Sequence, residues 1–81
     1  MQSSKEAQFA ALFGPLPAYS EYKRGEHVSY RAYGRKQSGI IVWVAAPQRI
    51  AGKQEPAMYI IENEAIAGFP DMVAQSDIIV E

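Results

Sequence analysis

Two glutamates and one histidine have the chemistry that proton transfer requires. Glu62 and Glu64 lie two positions apart, so in a strand their carboxylates leave the same face and can form a general acid and base pair. His27 is the only histidine and there is no cysteine, which excludes disulfides, thiolate metal sites and most histidine-based geometries. All six glycines occur singly, so no phosphate-cradling loop is present. The simpler interpretation is two solvated glutamates and a surface histidine, which predicts a non-enzymatic protein without catalytic residue, metal or cofactor.

Aromatic and basic residues alternate in one short segment, as they do in barrels that bind single-stranded nucleic acid. The chain as a whole argues against this function, because its net charge is −1 and residues 54–81 hold six acids and no base. In the alternative interpretation Tyr30 fills the core while the basic residues keep a hairpin soluble. The segment comprises Tyr30, Arg31, Tyr33, Arg35 and Lys36.

The chain of 81 residues, 48% of them apolar, has room for one domain. A domain of this size buries only about 60% of its unfolded surface, so oligomerisation would add stability. The start, MQSSKEAQF, lacks the apolar stretch of a signal peptide, and no run approaches the roughly 20 apolar residues of a membrane span. We therefore expect a cytoplasmic protein without a membrane partner.

The first 24 residues are predicted to form a helix followed by an extended connector. Ser3 and Glu6 fit a capping box, and Gly14 followed by proline ends the pattern, so the helix should cover residues 4–13. The connector PLPAYSEYKRG has alternating prolines that favour extended backbone. The helix carries one apolar stripe, formed by Phe9, Leu12 and Phe13.

Residues 25–81 read as closely spaced strands separated by turn signals, which predicts a five-stranded antiparallel barrel. Val28, Tyr30 and Ala32 share one face of the first strand. In order, the segments are the strand HVSYRAY, the turn GRKQSG, the strand GIIVWVAAP, the polar loop PQRIAGKQEP, the strand AMYIIENE, the turn AIAGFPD and the tail MVAQSDIIVE.

The strand GIIVWVAAP does not alternate apolar and polar residues, so both of its faces need cover. We predict that Ile40, Val42 and Val44 face the barrel interior with Tyr59 and Ile61. The opposite face then requires burial by the helix, which can lie on its own barrel or across a symmetric partner. We favour a homo-oligomer. The outward residues are Ile41, Trp43, Met58 and Ile60, and the residues predicted to form the packing surface are Phe9, Leu12, Phe13 and Ile41.

The segments GEHVSYRAYGRKQSGIIVWV, MYIIENEAIAGFPDMV and QSDIIV together resemble an SH3-like barrel. The pattern of glycine, acid, any residue and valine, followed by a turn and Gly-x-Ile-Val, is typical of that fold. The resemblance covers residues 25–81 and implies a short 3₁₀ turn at AQSD before the last strand.

Within that class the chain is similar to the small type II dihydrofolate reductases carried on plasmids and integron gene cassettes. Gly25, Glu26 and Val28 match the start of their barrel, residues 41–43 resemble their second strand, and YIIENEA resembles their YxVExEA stretch. The resemblance implies a related barrel and a bacterial, cassette-borne origin.

The active-site motif of that family is not kept. In the reductases a tetramer forms a pore, and a Val-Gln-Ile-Tyr motif from each subunit holds folate and NADPH. A lysine near their first strand contacts the substrate. In this chain Tyr30 occupies the position of that lysine, with Arg31 beside it. A carboxylate at Asp71 also disfavours an anionic cofactor. The resemblance therefore does not imply the reductase. The four motif positions are Pro70, Asp71, Met72 and Val73.

A ligand site is predicted between the YRAYGRKQS hairpin and the AGFPD turn, where flat apolar walls and two orienting charges come together. In the alternative interpretation Phe69 and Pro70 form a buried corner. The predicted function is a homo-oligomeric binding or assembly module with a peptide or small-molecule ligand; a diverged reductase-like pore protein is second and a nucleic-acid-binding barrel third. The predicted ligand site comprises Tyr33, Arg35, Trp43, Phe69, Pro70 and Asp71.

Overall fold

The computed structural model describes residues 4–66 and 68–80, and its fold is mainly β with one short helix. No helix within those ranges is long and apolar enough to cross a membrane. The elements in chain order are α1 (Ser4–Phe13), β1 (His27–Ala32), β2 (Arg35–Ala45), β3 (Gln48–Ile50), β4 (Lys53–Glu55), β5 (Met58–Asn63), β6 (Asp71–Ala74), a 3₁₀ turn (Gln75–Asp77) and β7 (Ile78–Ile79).

Five strands form one antiparallel sheet in the order β6-β5-β2-β1-β7, and β3 and β4 form a separate ribbon. In a flat sheet β1 and β6 would lie about 14 Å apart, which is three strand spacings. The Tyr30 hydroxyl of β1 nevertheless lies 2.7 Å from the Asp71 carboxylate of β6, so the sheet curls into a half-barrel. Its inward core comprises Val28, Tyr30, Ile41, Val44, Ala57, Tyr59, Ile61, Val73 and Ile78.

Two reversals of the chain are tighter than the sequence predicts. The segment GRKQSG, predicted as a turn, lies mostly in β2, because Tyr33 (φ 58°) and Gly34 (φ 74°) alone connect β1 to β2. The segment PQRIAGKQEP, predicted as a loop, forms the β3 and β4 ribbon, which reverses at Ala51 (φ 53°) and Gly52 (φ 78°). Two consecutive positive φ angles suit the twist of an antiparallel pair, so both turns need only two residues.

A β-bulge in β2 changes the predicted faces of the apolar strand. Pairing with β5 shifts between Ile41 and Trp43, so Val42 and Trp43 both face outward. Ile41 lies in the inward core, whereas Ile40 is 44% exposed. The predicted faces of Ile40, Ile41 and Val42 are therefore wrong, because one extra residue shifts the alternation. The other predicted positions are confirmed, with Val44, Tyr59 and Ile61 inward and Trp43, Met58 and Ile60 outward.

The helix covers the outward apolar face of its own sheet. α1 has the predicted bounds, and it ends where the Gly14 N–H donates to the Ala10 carbonyl with φ 83° at the glycine. Phe9 and Phe13 pack against the outward cluster around Trp43. The predicted capping residue Ser3 lies outside the described residues.

Leu12 does not share this packing. It was predicted to lie on the same stripe as Phe9 and Phe13, but it is 71% exposed. The helix turns about 100° per residue, so the face that contains both phenylalanines and Ala10 leaves Leu12 at its margin. Leu12 is therefore a large apolar side chain of α1 that remains mostly exposed.

Candidate functional site

The Asp71 carboxylate accepts three hydrogen bonds from side chains of the half-barrel. Tyr30 donates its hydroxyl to Asp71 Oδ2 at 2.7 Å, Tyr33 donates to Oδ1, and Asn63 Nδ2 donates to Oδ2 at 3.3 Å. Asn63 also donates to Gln37 Oε1 at 3.1 Å. We call Tyr30, Tyr33, Asn63 and Asp71 the Asp71 cluster. It ties β6 to the β1–β2 turn and so holds the two sides of the curled sheet together.

These hydrogen bonds change the acidity of the groups that form them. Burial acts to raise the pKa of Asp71, but the hydrogen bonds from Tyr33, Tyr30 and Asn63 together lower it. Burial, and then the hydrogen bond to Asp71, raise the pKa of Tyr30 well above its usual range. The hydrogen bond to Asp71 also raises the pKa of Tyr33. The cluster is therefore one carboxylate held by two neutral phenols.

Acidification should destabilise the wild-type protein more than an Asp71→Asn variant. Because the pKa of Asp71 is lowered by folding, its stabilisation is present above the unfolded-state pKa and is lost as the pH falls through the folded-state value. At about pH 7 the variant should have a free energy of unfolding about 1.5–3 kcal/mol smaller, since it loses hydrogen bonds to a charged group. Urea unfolding from about pH 7 to about pH 2 should show this difference disappearing. If the free energies of unfolding of the two proteins change in parallel with pH, this expectation is wrong.

Trp43 is separated from the other residues predicted for the ligand site. It is 5% exposed beneath α1 on the outward face of the sheet, where its ring centroid lies 6.1 Å from that of Phe9. Its indole Nε1 donates to the Gly14 carbonyl at 2.9 Å. The Arg24 guanidinium lies 5.7 Å from the ring centroid. These contacts dock the helix, whereas the Asp71 cluster lies on the inward side.

The remaining residues predicted for the ligand site fall at three places. Tyr33 and Asp71 meet in the Asp71 cluster, as described above. Arg35 is exposed at the start of β2 and lies beside a different concavity. Phe69 and Pro70 lie next to α1, and Phe69 is 96% exposed, so the interpretation of this pair as a buried corner is wrong. The structure therefore brings only the tyrosine and the aspartate into contact.

An apolar groove of about 460 Å³ runs between α1 and the turn before β6. Its exposed rim includes Leu12, Phe69 and Met72, which are 71%, 96% and 57% exposed. A groove of this volume is within the range of ligand sites, and large exposed apolar side chains mark interaction surfaces. We call this surface the helix groove. Its apolar walls are Phe9, Leu12, Phe13, Phe69, Pro70 and Met72.

Glu62 and Glu64, which the spacing places on one strand face, contact different side chains. Glu64 forms a hydrogen bond with the His27 ring, and Glu62 lies 3.7 Å from the Lys5 ammonium, both on the exposed surface. Each carboxylate therefore contacts a different side chain. Both glutamates and the histidine are exposed, and the two glutamates line one concavity together with Ile40 and Val42.

The sequence did not predict Asn63 in the Asp71 cluster or Gln37, which accepts a hydrogen bond from Asn63. Asn63 follows Tyr59 and Ile61 at a spacing of two, so it occupies an inward position of β5. A polar side chain at a buried position requires hydrogen-bond partners, and that signal was available in the sequence. Gln37 had no such signal, because its segment was predicted to be a turn.

Comparison of the chain with protein-family models, with characterised proteins and with solved structures found no match. The function must therefore be inferred from the helix groove and the charged surfaces themselves.

Proposed function

We propose that this protein is an SH3-like barrel that assembles with a second copy of itself through the helix groove. The strand order β6-β5-β2-β1-β7, the β1–β2 hairpin and the 3₁₀ turn before a last strand that pairs with β1 support the fold assignment. The expected turn at AQSD matches the observed Gln75–Asp77. The assembly rests on one observation, which is the arrangement of apolar residues along the helix groove.

The helix groove places a protruding ring directly beside a concavity. Phe69 is almost fully exposed, and the groove next to it is walled by Phe9, Leu12 and Phe13. A two-fold contact pairs the same patch on both subunits, so it needs a surface that contains both the projection and its receptacle. This surface has both. In such a dimer, Phe69 of each subunit enters the groove of the other.

The energetics favour covering this surface. Burying one large apolar side chain is worth about 1.5–3 kcal/mol, and the groove exposes three of them on each subunit. Strand β6 beside the groove is an edge strand that pairs with β5 alone among the described strands, so its outer side is available to a neighbour. A second copy brings the complementary groove and edge together, whereas a small molecule would cover the groove alone.

Phe69→Asp should weaken self-association about thirtyfold, which is the loss of about 2 kcal/mol typical of a central aromatic anchor. Light scattering on a sizing column over a range of concentrations should give twice the monomer mass for the wild type and the monomer mass for the variant. The substitution lies at a nearly fully exposed position, so circular dichroism should show unchanged secondary structure. The variant should melt at the temperature of the wild type diluted to its monomeric range, because the dimer alone adds stability.

Val80→Asp is the matched control, since Val80 is 81% exposed and follows β7 at the other end of the strand order. It introduces the same charge and should leave the mass of the dimer unchanged. A wild-type protein that is monomeric at every concentration, or an oligomer that survives Phe69→Asp, would overturn the assembly.

A diverged relative of the type II reductases, with a pore that binds a small molecule, is the second candidate. It is favoured by the position of Pro70 and Met72, two of the four residues at the family's pore positions, on the walls of the helix groove. The carboxylate of Asp71 is engaged by Tyr30 and Tyr33, so it is not free to hold a ligand. The light-scattering measurement tests this candidate as well, because a pore of the reductase type predicts a tetramer, with four times the monomer mass, in place of the dimer.

A further inference from the structure

We propose that the tip of the β1–β2 hairpin is a second binding site, separate from the helix groove, that takes the phosphates of single-stranded nucleic acid. Three exposed basic side chains surround a concavity of about 610 Å³ at the edge of the half-barrel. We call Arg31, Arg35 and Lys36 the basic tip. The other residues that line the concavity are Ala32, Gly34 and Ile79, so no acid lines it.

The strand register forces like charges together in the basic tip. Arg31 pairs directly with Lys36 across the two strands, and Arg35 stands at the next position, opposite Ala32. Like charges directly opposite one another destabilise an antiparallel pair, and a two-residue turn fixes the register so that the strands cannot slide apart. A bound anion adds attraction to the two guanidiniums at the tip, Arg31 and Arg35.

Two acids of the described chain pair with basic residues away from the tip. Lys5 pairs with Glu62 and Arg24 pairs with Glu6, whereas neither Arg31 nor Arg35 has an ion pair within residues 4–66 and 68–80. Asp71 contacts the tip through Tyr33, and its carboxylate already accepts hydrogen bonds from Tyr30, Tyr33 and Asn63. The two guanidiniums are consequently available to an external anion, and a guanidinium binds phosphate with two parallel hydrogen bonds.

An aromatic ring at the tip favours a nucleic-acid strand over a free phosphate ion. Tyr33 is 67% exposed and forms the β1–β2 turn with Gly34, so it follows Arg31 and precedes Arg35 in the chain. Its hydroxyl donates to Asp71, which fixes the ring without covering it. Bases of any sequence stack on such rings while neighbouring basic groups hold the backbone. Bases in a duplex are already stacked, so the site should prefer single strands.

The expected affinity is low and depends on salt. The net charge of the chain is −1, so attraction comes from the basic tip alone. Each phosphate contact on a single strand contributes a slope of about −0.7 to the plot of log affinity against log salt, so three contacts give about −2. A measured slope therefore reports how many of the three basic residues bind phosphate.

Fluorescence anisotropy with a labelled oligothymidylate, titrated at several salt concentrations, tests the site. The double variant Arg31→Gln/Arg35→Gln should reduce the affinity at least tenfold and lower the slope to about −0.7. Tyr33→Leu should reduce the affinity about tenfold, whereas Tyr33→Phe, which keeps the ring, should retain it. The matched control is Arg49→Gln/Lys53→Gln, which removes the same charge from the β3 and β4 ribbon and should leave affinity and slope unchanged.

Each result decides the proposal. The proposal is supported if Arg31→Gln/Arg35→Gln weakens oligonucleotide binding and Arg49→Gln/Lys53→Gln does not. It also requires that Tyr33→Leu weakens binding while Tyr33→Phe retains it. Equal weakening by both double variants would mean a diffuse charge effect and overturn it. Displacement of the oligonucleotide by an equal concentration of pyrophosphate would identify a small-anion site and overturn the strand as the ligand, as would preference for a duplex.

Discussion

Replacing Gly39 with alanine is expected to destabilise the fold by about 3 kcal/mol or more, although its backbone does not require a glycine conformation. A Cβ atom there would lie 2.3 Å from the Glu62 carbonyl oxygen and 2.7 Å from Ile61 Cγ2. The carbonyl belongs to the strand paired with β2, so it cannot rotate away as a flexible side chain would. The two central strands must separate to accept the methyl group.

The close approach lies next to the buried polar residue of β5. Gly39 pairs with Asn63, whose side-chain amide donates to Asp71 and Gln37. Movement of β5 away from β2 would therefore also move Asn63 in the Asp71 cluster. We expect the loss of packing and the loss of the cluster to add, so the substitution should damage the half-barrel at its centre.

Urea unfolding followed by circular dichroism measures this cost, and Gly52→Ala is the matched control. Gly52 has φ 78° and no atom within 4 Å of an added Cβ, so its substitution costs backbone strain alone, about 1–2 kcal/mol. At Gly39 the cost is steric. Equal losses in the two variants would show that β5 yields to the methyl group and would contradict the close approach.

The helix and the first strand were predictable because their signals are local. Glycine and proline end the helix, and alternation in β1 identifies Val28 and Tyr30 as inward residues. The bulge in β2 has no such signal. Ile40 and Ile41 are the same residue type and both neighbours are apolar or glycine, so the sequence permits either face until the pairing with β5 is known.

The two-residue turn at Tyr33 was not predicted because the sequence that follows it resembles that of a longer loop. GRKQSG is polar and contains two glycines, which is the usual composition of a loop. The chain instead reverses at a non-glycine residue with positive φ, which is uncommon for tyrosine. The hydrogen bond from Tyr33 to Asp71 stabilises this conformation, and it joins residues that are 38 positions apart. Local reasoning cannot include such a contact.

The ligand site was only partly predictable because the sequence does not specify where the helix lies. Trp43 was correctly predicted to face outward and to need cover, yet it was also assigned to an open groove. The segment between α1 and β1 is long enough to place the helix on several parts of the barrel. Only the structure shows that α1 lies on Trp43 and that Phe69 remains exposed beside it.

Trp43→Ala is expected to reduce the free energy of unfolding by about 3–5 kcal/mol, the usual cost of removing a large buried side chain. The indole contacts Phe9, lies beside the Arg24 guanidinium and donates to the Gly14 carbonyl. All three contacts join the segment before β1 to the outward face of the sheet. Urea unfolding followed by circular dichroism measures the loss, and hydrogen exchange should show the amides of α1 losing protection before those of the strands.

Trp43→Phe separates the aromatic contact from the hydrogen bond. It keeps a ring against Phe9 and loses the donor to Gly14, so we expect a loss of about 1–2 kcal/mol with α1 still protected. If protection of α1 is unchanged in Trp43→Ala, the helix is held by other contacts and our account of its docking is wrong.

The same pair of variants links the docking of the helix to assembly. Two walls of the helix groove, Phe9 and Phe13, belong to α1, so the groove exists only while the helix lies on the sheet. Under conditions in which the strands remain folded, Trp43→Ala should therefore abolish the association that depends on Phe69, and Trp43→Phe should preserve it. A dimer that persists after α1 has lost protection would place the contact elsewhere on the half-barrel.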